Sequence, residues 1–150
     1  MSDNISAINN IRLYPIKEAD IQIIRNIRNM DRNRLWFVYK EIISESEQIA
    51  WYKKYENKTD DYMFVAYSDT GEIVGAVALY EINNKAKTCE FGRIMTTIKG
   101  VGNKIANAAL KIAFEQMLLA KVVLEVFEKN VSAVRLYEQI GFLETERENS

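Results

Sequence analysis

The chain has 150 residues, of which 48% are hydrophobic and 27% charged, and its formal net charge is −1. These values predict one globular domain with a substantial core, and the lack of excess positive charge argues against nucleic acid as a partner. The apolar runs are shorter than the roughly 20 residues that a membrane span needs, and residues 1–10 lack the apolar core of a secretory signal. We therefore expect a cytoplasmic protein without a membrane partner.

Two residue types restrict the chemistry. The sequence contains no histidine and a single cysteine, Cys89. The lack of histidine removes the commonest general base and zinc ligand, and one thiol excludes an intrachain disulfide and a cysteine-rich metal site. No sequence neighbour would activate this thiol as a nucleophile. Proton transfer must then use a carboxylate, a tyrosine, a lysine or water, and we expect no metal cofactor.

The first third of the chain predicts one strand and two helices. Residues 11–14 are a short strand candidate, ended by the only proline, Pro15. Residues 18–30 predict a helix whose inward positions are isoleucines, namely Ile21, Ile23, Ile24 and Ile27. A second helix begins at Ser44, which forms a capping-box sequence with Glu47, and ends near Asn57.

From the second half of the first helix to residue 39, the sequence is rich in arginine and apolar residues. The four arginines are Arg25, Arg28, Arg32 and Arg34, and residues 35–39 are an apolar run. Each arginine alone fits a solvated helix face, and the apolar run alone fits a core segment. Together they also fit the wall of a pocket that holds phosphates and a base. The candidate acceptor-binding residues are accordingly Arg28, Arg32, Trp36 and Phe37.

The middle and end of the chain predict most of the sheet. Residues 62–67, 72–82 and 89–95 are three strands joined by tight turns, which form an antiparallel meander. A strand over 121–127, a helix over 132–140 and the start of a last strand at 142–143 follow. The last helix ends at a glycine, which is typical of a C-cap. One mixed sheet with helices on both faces accounts for this order.

The most informative stretch is the turn Lys99-Gly100-Val101-Gly102-Asn103-Lys104. A strand precedes it, and an amphipathic helix follows, with apolar residues at 105, 106, 109, 110, 112, 113 and 117. A helix N-terminus presents unpaired N–H groups and a positive dipole end, and glycines allow a ligand to approach the backbone. The pattern predicts a phosphate-binding turn, with a purely structural turn as the alternative.

These elements, in this order, resemble the GNAT superfamily of N-acetyltransferases. The turn is similar to the family's Arg/Gln-x-x-Gly-x-Gly/Ala pyrophosphate loop, and residues 130–142 match its Asn-x-x-Ala-x-x-Leu-Tyr-x-x-x-Gly-Phe ending. The resemblance covers almost the whole chain and implies a single acyl-CoA N-acyltransferase domain over 1–150. It also implies a three-layer α/β fold, in which a mostly antiparallel, twisted sheet of six or seven strands splays between its fourth and fifth strands.

The chain departs from the family pattern at two places. Thr97 stands where the loop motif prefers arginine or glutamine. The sequence also stops at Ser150, where members usually continue into a last strand. We therefore expect that strand to be missing after 143, or to be completed by a neighbouring subunit, as in a homodimer, or by a further segment outside this sequence.

Within the superfamily, the chain is similar to the sugar-nucleotide N-acetyltransferases of pseudaminic-acid synthesis. Four stretches carry this narrower resemblance: Cys89-Glu90-Phe91-Gly92, Lys99 to Gly102, Arg28-Asn29, and the helix from Glu47 to Trp51.

The superfamily resemblance implies acetyl-CoA as co-substrate and assigns residues to it. The pantetheine arm would follow the backbone of Arg93, Ile94 and Met95. The pyrophosphate would bind the N–H groups of Lys99, Gly100, Val101, Gly102, Asn103 and Lys104. Asn130 corresponds to an asparagine that contacts the CoA arm, and it fits a helix cap equally well.

Two proton transfers accompany acetylation of an amine. Tyr137 corresponds to the family tyrosine that faces the thioester sulphur, where a phenol can protonate the leaving thiolate; the alternative is a packing residue. For the base, Glu90 is the best carboxylate, directly or through a water, unless it is an outward, solvated residue. Tyr80 and Glu81 are weaker candidates.

We therefore expect direct transfer of an acetyl group to a primary amine of a small molecule, with a nucleotide-linked amino sugar as the preferred acceptor. The alternative acceptors are a protein N-terminus, a polyamine and a free amino acid. A non-catalytic acyl-CoA-binding domain and a nucleotide-binding module of another fold also remain open.

Overall fold

The computed structural model describes residues 10–148. A five-stranded sheet has the order β1-β2-β3-β4-β5, antiparallel from β1 to β4 and parallel between β4 and β5. The strands are β1 (Arg12–Pro15), β2 (Asp61–Tyr67), β3 (Ile73–Asn83), β4 (Thr88–Thr96) and β5 (Lys121–Val123). The helices are α1 (Ile21–Asn29), α2 (Asp31–Arg34), α3 (Glu45–Glu56), α4 (Gly102–Lys111) and α5 (Val131–Gln139). A 3-10 turn (Glu18–Asp20) precedes α1, and a π-helical turn (Ile112–Gln116) follows α4.

The sheet carries a separate apolar cluster on each face. Alternate residues of a strand point to opposite faces, so Val77 and Leu79 join the cluster under α4 and α5, whereas Ala76 and Ala78 join the cluster under α1. The aromatic residues of α3 pack against the second cluster. The predicted mixed sheet with helices on both faces is therefore the architecture that the chain adopts.

Helix α3 begins where its sequence predicts. The Glu47 N–H donates to Ser44 Oγ at 3.2 Å, and the Ser44 N–H donates to Glu47 Oε1 at 2.9 Å. Each side chain thus satisfies a donor that the helix itself cannot pair. The predicted capping box is confirmed.

The predicted number of strands is wrong. Residues 10–148 contain five strands rather than six or seven, and the chain beyond Gly141 forms none. The strand predicted over 121–127 is limited to Lys121–Val123, because only its first three residues have partners in β4. Leu143, which was expected in the last strand, is 86% exposed.

One predicted core position in α1 is also wrong. Ile21, Ile24 and Ile27 are buried, but Ile23 is 45% exposed. At about 100° per residue, positions 21, 24 and 27 share one face of a helix and position 23 lies off it.

No helix within residues 10–148 combines the length and apolar character needed to cross a bilayer.

Candidate active site

A cleft opens where β4 and β5 part. Their parallel pairing starts at Thr88 and Lys121 and stops at Glu90 and Val123. β4 continues to Thr96, whereas the chain leaves the sheet after Val123. The unpaired part of β4 forms one wall of the cleft, and the segment after β5 forms the other. This is the expected splay between the fourth and fifth strands.

An extra residue in β4 bends the strand at this point. Between the pairs Ala76–Met95 and Ala78–Gly92, one residue of β3 faces two residues of β4. Arg93, the first of those two, has φ +53°. A positive φ is uncommon outside glycine and is one way in which a strand accommodates a bulge. The backbone predicted to bind the pantetheine arm therefore starts at a bulge on the unpaired edge of β4.

The glycine turn after β4 leaves a continuous run of backbone donors. The Thr97 N–H donates to the Val74 carbonyl at 2.9 Å, and helical bonding resumes where the Ile105 N–H donates to Val101 at 3.0 Å. Between them, the N–H groups of residues 98–104 donate to no other described residue. Gly100 has φ +90°, which favours glycine. The turn therefore has the backbone geometry that the sequence predicted for an anion site.

Buried contacts fix this turn on the sheet. Val101 and Ile105 are fully buried. A Cβ on Gly75 of β3 would lie 2.2 Å from the Met95 carbonyl oxygen and 2.8 Å from Ile105 Cδ1. Glycine at position 75 therefore allows the end of β4 and the start of α4 to pack directly on β3.

The C-terminal part of the matching motif is a helix cap. The Phe142 N–H donates to the Tyr137 carbonyl at 2.9 Å, across Gly141 with φ +110°. The Tyr137 and Phe142 rings lie 5.9 Å apart, edge to face. This is a Schellman motif with its apolar contact, so the glycine and phenylalanine of the motif have a structural reason of their own.

Tyr137 also lies in the core under α5. It is 7% exposed, and its ring meets Phe91 edge to face at 5.8 Å. Burial raises the pKa of Tyr137 to about 12. The phenol therefore keeps its proton near neutral pH and remains a possible donor. Packing is observed, and the acid role stays a prediction.

Asn130 caps the same helix. Its Oδ1 accepts the Ala133 N–H at 3.3 Å, so the capping interpretation is confirmed. Its side-chain NH₂ donates to no described residue and is free for the predicted contact with the CoA arm, which stays a prediction.

Glu90, the predicted general base, lies at the bottom of the cleft, where the pairing of β4 with β5 ends. The Tyr80 hydroxyl donates to Glu90 Oε2 at 2.9 Å. Burial raises the pKa of Tyr80, and its bond to Glu90 raises it further. The neighbouring Glu81 also interacts with Glu90, which is the main reason that the pKa of Glu81 is raised. An open cavity of about 250 Å³ is lined by Glu81, Thr88, Cys89, Glu90, Lys121 and Val123.

The thiol of Cys89 is poorly suited to carry an acyl group. Cys89 is 2% exposed, and burial, with a smaller contribution from the charge of Glu90, raises its pKa to about 11. A protonated thiol is a weak nucleophile. This geometry supports direct transfer without a covalent enzyme intermediate.

Arg28, predicted to bind the acceptor, is used within the protein. It is 6% exposed and donates to the carbonyls of Tyr39 and Glu41. Its guanidinium lies 4.6 Å above the Phe37 ring. Burial is the main cause that lowers the pKa of Arg28, with a smaller contribution from the charge of Arg34. A solvated helix face is therefore the wrong description of this arginine.

Two further arginines are also engaged with the chain. Arg25 donates to Gln22 and to the Ile43 carbonyl, and Arg34 donates to Asp31 and to the Lys40 carbonyl. These bonds fix the segment between α2 and α3.

Arg32 differs from the other three arginines because it is exposed, with a single 3.4 Å contact to the Thr97 carbonyl. Trp36 is 43% exposed. Of the four predicted acceptor residues, Arg32 and Trp36 are therefore available to a ligand, whereas Arg28 and Phe37 pack on each other.

Asn33 connects the two sides of the site, and the sequence analysis missed it. This buried side chain donates to the Thr96 carbonyl at 2.9 Å and accepts the Thr96 N–H at 3.0 Å. It also donates to the Ile27 carbonyl at 2.8 Å. The amide thus bonds the end of β4 as a neighbouring strand would. No local signal distinguishes it, because its main partner is 63 residues away.

The segment between α2 and α3 reaches the far wall of the cleft. Lys40 Nζ lies 4.8 Å from the centre of the Phe127 ring. Several apolar side chains on both segments are exposed, including Trp36, Tyr39, Val126 and Phe127.

Within the part of the chain that the structure describes, no three acidic or cysteine side chains are placed to hold a metal.

The mixed sheet, its splay, and the glycine turn before α4 together define an acyl-CoA-dependent acyltransferase. A family model described as an acetyltransferase (GNAT) domain matches residues 10–143. The chain belongs to this GNAT family. It is an N-acetyltransferase that acetylates an amine, with acetyl-CoA as co-substrate.

Of two similar relatives, one is named for its acceptor and the other only as an acetyltransferase. The chain is 29% identical to a spermidine N(1)-acetyltransferase of Vibrio cholerae over 138 residues, covering 89% of this chain and 79% of the relative. It is 30% identical to the acetyltransferase PseH of Campylobacter jejuni over 129 residues, covering 85% and 79%. A crystal structure of the Vibrio enzyme in complex with CoA and spermine superposes with a TM-score of 0.81, covering 91% of this chain and 83% of that one.

Proposed function

We propose that the chain transfers an acetyl group from acetyl-CoA directly to a primary amine of a small, cationic molecule of the polyamine type. One observation carries this proposal: two different groups flank the unpaired part of β4. Glu90, the last residue of β4 that pairs with β5, lies before it, and the unpaired N–H groups of residues 98–104 follow it. The N–H groups suit a diphosphate, and the carboxylate suits an ammonium.

The residues of the cleft divide the chemistry between them. Acetyl-CoA supplies the activated acetyl thioester. Glu90 accepts a proton from the acceptor ammonium, directly or through a water, so that the amine nitrogen can attack the acetyl carbonyl. After the attack, the nitrogen loses its second excess proton to solvent. As the carbon–sulphur bond breaks, Tyr137 donates its phenolic proton to the departing thiolate, and the phenolate then regains a proton from solvent. The unpaired backbone from Arg93 to Met95 positions the pantetheine arm.

The charges near Glu90 support a cationic acceptor. Glu81 and Glu90 line the same open cavity, with Lys121 as its one basic side chain. On the other side, Arg25, Arg28 and Arg34 donate to main-chain carbonyls, which leaves few guanidinium groups for the phosphates of a nucleotide. The similarity to spermidine acetyltransferases agrees with this acceptor.

A nucleotide-linked amino sugar is the second candidate. The exposed Arg32 and Trp36 offer one cation and one aromatic face, and PseH is among the relatives. A peptide N-terminus is a third acceptor to compare, since an N-alpha-acetyltransferase of Dictyostelium discoideum is 25% identical.

The first experiment is a calorimetric titration of acetyl-CoA into the wild type, Gly102→Glu and Gly102→Ala. A Cβ at position 102 would meet only Leu136 Cδ1, at 3.1 Å. Alanine should therefore retain binding within a few-fold, whereas the carboxylate should weaken it about 100-fold by repelling the diphosphate. Wild-type protein that does not bind acetyl-CoA would overturn the proposal.

The second experiment is a release assay for the CoA thiol with three acceptors at equal concentration: spermidine, a nucleotide-linked amino sugar and a short peptide with a free N-terminus. The proposal expects the highest kcat/KM with spermidine. Preference for the sugar nucleotide, lost in Arg32→Ala without a change in acetyl-CoA affinity, would replace the polyamine with the second candidate.

We also propose that the chain self-associates. The outer edge of β5 is unpaired in the described chain, and Val123 of that strand is exposed, as are Val126 and Leu143 in the chain that follows it. A structure of the Vibrio enzyme is described as dodecameric. Light scattering after size exclusion should give a mass above that of one chain, and a monomer at all concentrations would contradict this.

A further inference from the structure

Four residues form a row across the sheet at the base of the cleft. Tyr80 of β3 pairs with Asp61 of β2 on one side and with Glu90 of β4 on the other, and Glu90 pairs with Val123 of β5. This is the last row before β4 and β5 part. Asp61, Tyr80 and Glu90 therefore occupy equivalent positions on three neighbouring strands, with the predicted base at the end next to the cleft.

Arg93 reaches back over this row from the bulge. Its two terminal nitrogens donate to the two oxygens of Asp61 at 2.8 and 2.7 Å, so the pair is bidentate. The Asp61 side chain is 3% exposed and the Arg93 side chain 25%. The guanidinium lies 4.5 Å above the Tyr80 ring. Asp61 thus fixes the side chain of the residue whose left-handed backbone forms the bulge.

The Tyr80 ring is confined on more than one side. Arg93 covers its face, and a Cβ on Gly92 would lie 2.5 Å from its hydroxyl oxygen. In this confined position the hydroxyl donates to Glu90 at 2.9 Å. The contacts therefore form one chain, from Asp61 through Arg93 and Tyr80 to Glu90.

The charges around Arg93 explain why the position of Asp61 matters. Asp61 also forms a weaker ion pair with Lys58, whose Nζ lies 3.7 Å from Asp61 Oδ2 and whose side chain is 52% exposed. The other groups near the Tyr80 ring are Glu81 and Glu90, and Tyr55 lies near Asp61 and Arg93. Without the Asp61 charge, the guanidinium would lose both of its carboxylate bonds while its contact with the Tyr80 ring, which bonds Glu90, would remain.

We propose that Asp61 is a positioning residue for acetyl transfer, which holds the Arg93 guanidinium away from Glu90 and orients Tyr80 toward that carboxylate. This inference rests on the proposed function, in which Glu90 accepts the proton of the acceptor. The Asp61 side chain is 3% exposed and both of its oxygens accept from Arg93, so it acts through these neighbours and is not a catalytic residue.

The test compares three variants in the acetylation assay and in acetyl-CoA calorimetry. Asp61→Asn should lower kcat at least about tenfold, with the dissociation constant of acetyl-CoA unchanged within a factor of about two. The double variant Asp61→Asn with Arg93→Gln should recover part of that loss, because the freed cation is gone. Lys58→Ala, which removes the weaker contact to the same carboxylate, is the matched control and should retain the wild-type kcat.

Recovery in the double variant separates positioning from a purely structural role, since loss of a supporting ion pair would leave the double variant no better than the single one. An Asp61→Asn protein with wild-type kcat, or a double variant without recovery, would overturn the inference. If Asp61→Asn does not fold, Tyr80→Phe decides: it removes only the hydroxyl, and an unchanged kcat would reject the inferred chain of contacts.

The same assays separate this inference from the proposed function. A wild type that acetylates no amine, or a fully active Glu90→Gln, would reject the proposed function. An inactive Glu90→Gln together with an unaffected Asp61→Asn would reject the positioning role alone.

Discussion

The two sides of the cleft use hydrogen-bond donors in opposite ways. In the turn over residues 98–104, the backbone donors are unpaired within the described chain. In the segment over residues 25–40, three of four arginines donate to main-chain carbonyls of residues 39–43, and the exposed Arg32 makes only a 3.4 Å contact to the Thr97 carbonyl. A motif on the first side therefore predicts binding directly, because backbone geometry follows from glycine positions. On the second side, residue type alone does not tell whether an arginine binds a ligand or supports a loop.

The largest expected effect tests the supporting role of Arg28. Arg28→Ala should lower the free energy of unfolding by about 3 kcal/mol, or roughly 10 °C in Tm, because a buried side chain is removed, the part-buried carbonyls of Tyr39 and Glu41 lose a charged donor, and Phe37 loses its cover. Arg32→Ala, on an exposed residue, should change stability by less than about 0.5 kcal/mol and should raise the KM of a nucleotide-linked acceptor but not that of spermidine. Thermal unfolding and acceptor kinetics measure both. An Arg28→Ala protein of normal stability with a raised acceptor KM would restore the predicted binding role.

Tyr137→Phe asks whether the CoA side depends on a side chain as well as on backbone. If the phenol protonates the thiolate, kcat should fall about 100-fold, with acetyl-CoA affinity unchanged because the ring contacts remain. Steady-state kinetics and calorimetry measure this. A kcat within twofold of the wild type would leave Tyr137 as a packing residue only.

The same variant tests, at alkaline pH, how burial of the Tyr137 phenol affects the stability of the protein. The folded-state pKa of Tyr137 is about 12, against about 10 for an exposed tyrosine. Burial of the neutral phenol therefore contributes stability that is complete below pH 10 and is lost as the pH rises toward 12. Between about pH 9 and 11, the wild type should lose about 1.4 kcal/mol more than Tyr137→Phe. Denaturant unfolding at both pH values measures the difference, and parallel losses would contradict it.

The smallest effect concerns the cap after α5. Gly141→Ala should destabilise the protein by about 1 kcal/mol, because φ +110° is strained for a residue with a Cβ. Gly141→Asn should cost less, since asparagine tolerates positive φ better. Chemical denaturation ranks the three proteins, and an alanine variant as stable as the wild type would mean that the cap is not needed.

The sequence by itself determined the features whose partners lie within a few residues. The capping box of Ser44 and Glu47 spans three residues, and the Schellman motif from Tyr137 to Phe142 spans five. The glycine turn belongs to the same class, because a positive φ and a helix start are local properties. The capping box, the C-cap glycine and the glycine turn were therefore predicted at their correct positions.

The tertiary structure alone decided what depends on strand register and on distant partners. Asn33 meets Thr96 across 63 residues, Arg93 meets Asp61 across 32, and Arg28 reaches carbonyls 11 and 13 residues away. The early end of β5 is likewise a matter of register, because only Lys121, Val122 and Val123 have partners in β4. Such contacts depend on how sheet and helices pack, and a polar side chain carries no local signal of which distant backbone group it will satisfy.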